Sequence, residues 1–171
     1  MPDNIILVDQ NDNQTGTAEK LAAHKEGLLH RAFSVMIFDD AGNILLQQRA
    51  NDKYHSAGLW TNACCSHPKP GENLKEAAIE RLQKEMGFQT GIEKAFVIIY
   101  KIELENGITE HEFDHVFTGT WNGIPNPDAT EVADWKWISR KDLDSDMKQN
   151  PDHYTYWFRL IMEKIEPKFI S

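Results

Sequence analysis

Cysteine is nearly missing from this 171-residue chain: there are two, Cys64 and Cys65, and they are neighbours. An adjacent pair makes neither a disulfide framework nor a zinc ribbon. No apolar run approaches the ~18–20 residues of a membrane span, and no basic-then-apolar leader opens the chain. The expectation is a cytoplasmic protein with no membrane partner. Positive charge is short as well: 18 Lys and Arg stand against 27 Asp and Glu, a net charge of −9. That balance argues against nonspecific nucleic-acid binding, yet a few local cations and a metal suffice to hold an anionic small molecule. Repeats, low-complexity tracts and linkers are absent. The composition is that of one globular domain, residues 1–171, large enough to bury a core without covalent staples. Monomer or weak homodimer is the expected state.

The punctuation of the chain predicts a mixed α/β (α+β) fold, helices packed on a mixed sheet. Asn4 to Gln10 reads as a strand, and Asn11 to Gly16 as a turn. Arg31 to Phe38 and Asn43 to Arg49 form a hairpin about Asp39–Gly42. Asn51 to Gly58 is a polar loop holding Lys53 and His55. Trp60 to Pro68 reads as one strand, and Asn73 to Met86 as a helix ended by Gly87. Phe96 to Leu104 and Ile108 to Thr118 flank the hairpin signal Asn106-Gly107. Glu131 to Ile138 is a further strand. Ser139 with Asp142 caps a short helix, and Asp152 is expected to cap a last one over His153 to Lys164.

Three stretches can carry chemistry. In Trp60-Thr-Asn-Ala-Cys-Cys-Ser-His-Pro68, strand alternation puts Cys65 and His67 on one face and Cys64 on the other. A reactive thiol–imidazole pair and a small buried cysteine beside a satisfied histidine are both open readings. In Glu110-His-Glu112 the two carboxylates share a face about 7 Å apart at Cα, and they repel unless a cation or proton compensates. With His24, His30 and His67 they would form a mixed nitrogen–oxygen site suited to Mn²⁺, Zn²⁺, Fe²⁺ or Mg²⁺. The third is the helix after His67. Against Gly-x5-Glu-x7-Arg-Glu-U-x-Glu-Glu-x-Gly-U, Ser66 stands at the first Gly, Glu72 at the first Glu, Glu85 at the last Glu and Gly87 at the last Gly. Glu80, Arg81 and Lys84 break the charge pattern. The chain thus resembles a degraded Nudix box, whose carboxylates hold Mg²⁺ in diphosphate hydrolases.

Taken with Glu19-Lys20-Leu-Ala-Ala-His24 and Gly71-Glu72, these motifs resemble the type I isopentenyl-diphosphate isomerases, which have a Nudix-like fold. The resemblance implies a metal held by His24, His30, His67, Glu110 and Glu112. Cys65 and Glu112 would be the acid/base residues, with Tyr100 assisting at the carboxylate. Lys20, Arg49, Lys53 and Arg81 would bind the diphosphate. Glu85 would hold a second ion, Mg²⁺, with Cys65 a further ligand by side chain or backbone, and Trp157 would cover the hydrocarbon end. The implied reaction interconverts isopentenyl and dimethylallyl diphosphate through a tertiary carbocation, in isoprenoid precursor synthesis. The alternatives are a Nudix diphosphohydrolase acting on nucleotide-type substrates and a silent metal-binding module.

Overall fold

The structure, a computed structural model, describes residues 3–165. In chain order, β1 (Asn4–Val8) and β2 (Gln14–Glu19) form a hairpin that leads into α1 (Lys20–Glu26). β3 (His30–Phe38) and β4 (Ile44–Arg49) follow, then β5 (Trp60–Thr61), β6 (Cys64–Ser66) and α2 (Leu74–Met86). β7 (Ile92–Glu103) and β8 (Thr109–Thr120) make the long hairpin, and β9 (Val132–Ile138), α3 (Arg140–Gln149) and α4 (Tyr156–Lys164) complete the chain. No helix among the described residues is long and apolar enough to cross a membrane.

β3 is the centre. It pairs antiparallel with β1, β4 and β6, and parallel with β8 over nine residue pairs from His30–Glu112 to Phe38–Thr120. Buried on both faces, it reads as an almost unbroken apolar run rather than an alternating one. Its side chains still alternate. Phe33, Val35 and Ile37 pack with Ala77, Ala78 and Leu82 of α2, while Met36 and Phe38 pack with Trp157, Phe158 and Ile161 of α4. The expected mixed sheet between helices is therefore observed.

α2 ends as expected, with Gly87 closing it at φ 78°, while Asn73, read as its first residue, is instead the N-cap whose side chain accepts from Glu76 N. Three further expectations are corrected. The turn assigned up to Gly16 is already strand from Gln14. The stretch from Trp60 to Pro68 is two short strands, because it changes partner: Trp60 and Thr61 pair with β4, Cys64 to Ser66 with β3. Between them the buried Asn62 side chain donates to Val35 O and Cys64 O. The last helix is capped by Thr155, whose Oγ1 accepts from Phe158 N, and Pro151–His153 is a separate 3₁₀ turn that includes Asp152.

Gly87 also has no room for a side chain, since a Cβ there would press into the backbone carbonyl of Asn126. Gly87→Ala is expected to destabilise the protein by about 2 kcal/mol or more, combining the left-handed penalty with a displaced carbonyl. Urea unfolding measures it, and a loss well below ~1 kcal/mol would contradict this packing.

Candidate active site

Four separate segments bring the predicted ligands together. α1 carries His24, the first residue of β3 is His30, the residue after β6 is His67, and β8 carries Glu110 and Glu112. One ligand atom from each of the five lies within 4.8 Å of the others. His24 Nε2 is 2.9 Å from Glu110 Oε1, and His67 Nε2 is 2.8 Å from Glu112 Oε2. His30 Nε2 is 3.3 Å from the same Glu112 oxygen and 3.2 Å from His67 Nε2.

The arrangement fits a divalent cation. His24 Nδ1 donates to Lys20 O at 2.7 Å and His30 Nδ1 to Leu28 O at 2.9 Å. Those bonds set the tautomers and leave both Nε2 lone pairs aimed inward. His24 Nε2 is buried and close to Glu110, but it is not aligned with that oxygen as a hydrogen bond. Converging lone pairs of this kind are what a metal satisfies.

The electrostatics follow from burial. Burial and the Glu112 charge push Glu110 up, but the neighbouring His24 and His55 rings leave it lowered. Burial opposes charge on Glu112 too, yet bonds from His30 and His67 hold it well below the usual carboxylate range. Burial works against a charged His30, but the Glu112 bond and charge, the Leu28 carbonyl and the Glu110 charge together raise the ring's pKa. Burial prevails on His67 and lowers it. Tyr100 donates its O–H to Glu112 Oε1.

A cleft of about 630 Å³, its open mouth included, lies over this cluster. Its wall includes Cys65, His67, Tyr100, Glu110, Glu112 and Trp157, together with Lys20, Arg49, Lys53 and Arg81. His24 and His30 sit fully buried beneath it. Cys64 and Cys65 part company: Cys64 is enclosed in the α2-side core, while Cys65 is half-buried and packs toward the α4 side. Burial pushes the Cys65 thiol up, and the Arg49 charge offsets only part of that. The Trp157 ring carries the Arg49 guanidinium 5.4 Å from its centre. Glu85 lines the same cleft, where Gln47 donates to Oε1 at 3.1 Å and Arg81 pairs with Oε2. Among the described residues the His/Glu group is the one cluster of three or more metal-capable side chains, while Glu85 and Cys65 both line the cleft beside it. Glu72, Glu80 and Lys84 are exposed.

Several residues join the site without having been predicted. His55 Nε2 lies 3.2 Å from Glu110 Oε1, and Glu131 reaches Lys53 and Arg81. The loop bearing His55 is tied to the β7–β8 tip, where Ser56 N donates to Glu105 Oε1 and Asn106 Nδ2 to Tyr54 O. Asp114 is fully buried and accepts from Ser34 Oγ at 2.8 Å. Only Asp114 had a sequence signal, standing two residues past Glu112 on the same strand face.

A family model described as NUDIX domain matches residues 28–158. Isopentenyl-diphosphate Delta-isomerase 2 of Aromatoleum aromaticum is 46% identical over 165 residues, 96% of this chain and 87% of that one. The Isopentenyl-diphosphate Delta-isomerase of Burkholderia multivorans is 47% identical over 164 residues, 96% and 93% of the two chains. The chain belongs to the isopentenyl-diphosphate Delta-isomerase family. Within solved structures, the shared fold extends to a Deinococcus radiodurans protein at TM-score 0.76 and 12% identity, covering 95% of this chain and 99% of that one. A MutT NUDIX hydrolase from Burkholderia pseudomallei aligns at TM-score 0.65 and 21% identity, over 81% of this chain and 98% of the hydrolase. The isomerase family thus shares its scaffold with hydrolases, and α2 is where this chain departs from the box.

Burial raises Asp114 well above the carboxylate range, and the Glu112 and Glu110 charges add to it. A group that binds its proton more tightly when folded loses stability as pH rises above its unfolded value near 3.8. Asn at this position has no such slope. Metal-free Asp114→Asn should therefore gain on the wild type between about pH 4.5 and about pH 7.5 in urea unfolding. A stability difference that stays flat over that window would mean Asp114 ionises alike in both states.

Proposed function

We propose that this chain interconverts isopentenyl and dimethylallyl diphosphate by adding a proton at one carbon and removing one at another. The observation that carries the reading is a half-buried thiol and a buried carboxylate on one cleft. Cys65 stands on β6 and Glu112 on β8, two strands that pair with β3. Their protonation is complementary: burial keeps Cys65 a thiol, while the histidines keep Glu112 a carboxylate. One is ready to give a proton and the other to take one.

Protonating the terminal CH₂ of the homoallylic substrate leaves a tertiary cation, and loss of a proton from the neighbouring CH₂ forms the internal double bond. Cys65 is the donor in the forward direction, and Glu112 the acceptor through the oxygen that faces Tyr100. Tyr100 stays a phenol, because burial and the adjacent carboxylates raise its pKa well above its usual value. It orients Glu112 and can hand the collected proton onward. The Trp157 ring forms an apolar wall that excludes water and offers a π face to the cation. Lys20, Arg49, Lys53 and Arg81 bind the diphosphate and anchor the flat five-carbon group by forces remote from the reacting carbons.

A divalent ion at the His/Glu cluster, with Mn²⁺, Mg²⁺, Zn²⁺ or Fe²⁺ as candidates, would fix the Glu112 orientation and tune its basicity. Elemental analysis of protein purified without added metal should show bound metal in wild type and less in Glu110→Gln. Ligands must be deprotonated, so metal content should fall below about pH 6. Equal and near-zero metal in both proteins would count against the site.

Hydrolysis of nucleotides is the weaker reading, because Arg81 occupies a box Glu position and neutralises Glu85 instead of joining it. Incubation with isopentenyl diphosphate in D₂O should place deuterium in the dimethylallyl methyl group. An isomerised product without deuterium would end the protonation mechanism. Nucleotide turnover at ~1 s⁻¹ or faster would favour hydrolysis.

Cys65→Ser should lose at least about a thousandfold in rate while keeping its metal. Cys64→Ala, a truncation in the α2-side core, should stay active at a stability loss of about 1 kcal/mol. Near wild-type turnover in Cys65→Ser would remove the thiol from the mechanism.

A further inference from the structure

The four cations facing the cleft are not equally free. Among the described residues neither Lys20 nor Arg49 has an ion-pair partner, whereas Lys53 and Arg81 share one. That partner is Glu131. Its Oε2 pairs with Lys53 Nζ and stands 3.3 Å from Arg81 Nη2. A single carboxylate oxygen thus bridges the loop after β4 to α2. The three side chains are only 20–24% exposed, so water screens them incompletely.

We infer that Glu131 stands in for a phosphate of the substrate: it occupies Lys53 and Arg81 in the free protein and must release them when the diphosphate binds. The inference rests on the diphosphate site proposed above. Three features support it. Two cations from separate elements converge on one oxygen, and without it Lys53 would have no carboxylate partner and Arg81 only Glu85. Arg81 uses Nε for Glu85 and a different nitrogen, Nη2, for Glu131. Losing Glu131 would leave the guanidinium oriented by Glu85, with donors free in the fork geometry that suits a phosphate. The Glu131 backbone is also fixed, its N–H donating to Asp128 O and its carbonyl accepting from Ala50 N. Only the side chain needs to swing.

The consequence is a specificity filter. An anion must carry enough charge to displace Glu131 from two cations at once, which a diphosphate does better than a singly charged group. Glu131 also competes with bound product and so favours its release.

The test is calorimetric titration of the metal-loaded protein with inorganic pyrophosphate, without added Mg²⁺. Glu131→Gln should bind pyrophosphate about five- to tenfold more tightly than wild type. Its KM for isopentenyl diphosphate should fall without a rise in kcat. In a Lys53→Ala background the gain should shrink, since one of the two contested cations is gone. A merely structural Glu131 gives the opposite sign, because a loosened loop binds anions less well. Weaker or unchanged pyrophosphate binding by Glu131→Gln overturns the inference alone. No pyrophosphate binding by the wild type overturns the diphosphate site and the inference together. Should Glu131→Gln fail to fold, Glu131→Asp, which keeps the charge but shortens the reach, must show the same sign.

Discussion

Two carboxylates buried on one strand face, Glu110 and Glu112, are the constraint around which the molecule is arranged. Left alone, each would raise the other's pKa and neither would stay charged inside the protein. Histidines from α1, from the start of β3, from the end of β6 and from the loop after β4 answer them. Distant parts of the chain therefore meet at β8 for an electrostatic reason as much as an apolar one. A bound cation would relieve the same repulsion, so metal affinity and folding stability are coupled at this cluster.

The central strand turns that cluster into a reaction site. β3 lies between β6 and β8, so thiol and carboxylate come from strands on either side of it. The pleat sorts the neighbouring cysteines, enclosing one in the α2-side core and exposing the other to the cleft. On α2 the scaffold shared with hydrolases has changed polarity. A cation at position 81 pairs with Glu85 and Glu131, so the helix presents a charge-balanced face in place of a carboxylate array.

How much of this could be read beforehand depended on the range of the interaction. The Gly87 end of α2, the Ser139 cap and the opposite faces of Cys64 and Cys65 are local, and each is written in adjacent residues. So is the shared face of Glu110 and Glu112. The convergence of His24, His30 and His67 on them is not; it was reached through likeness to a family, since no spacing rule links residues so far apart. The interruption at Asn62 was hidden because it depends on which strand each half pairs with. Thr155 was overlooked as a cap because Asp152 is an equally good local candidate, and a 3₁₀ turn separates the two. His55 and Glu131 have no periodic signature at all: one lies in a loop and the other just before a strand.

The tip of the β7–β8 hairpin holds the Tyr54–Ser56 segment through Glu105 and Asn106. Surface hairpin tips are ordinarily where homologous chains vary freely in length. Here the same turn braces a wall of the reaction chamber from outside. Lengthening or shortening it would shift the segment that carries Lys53 and His55 into the cleft wall without touching either residue.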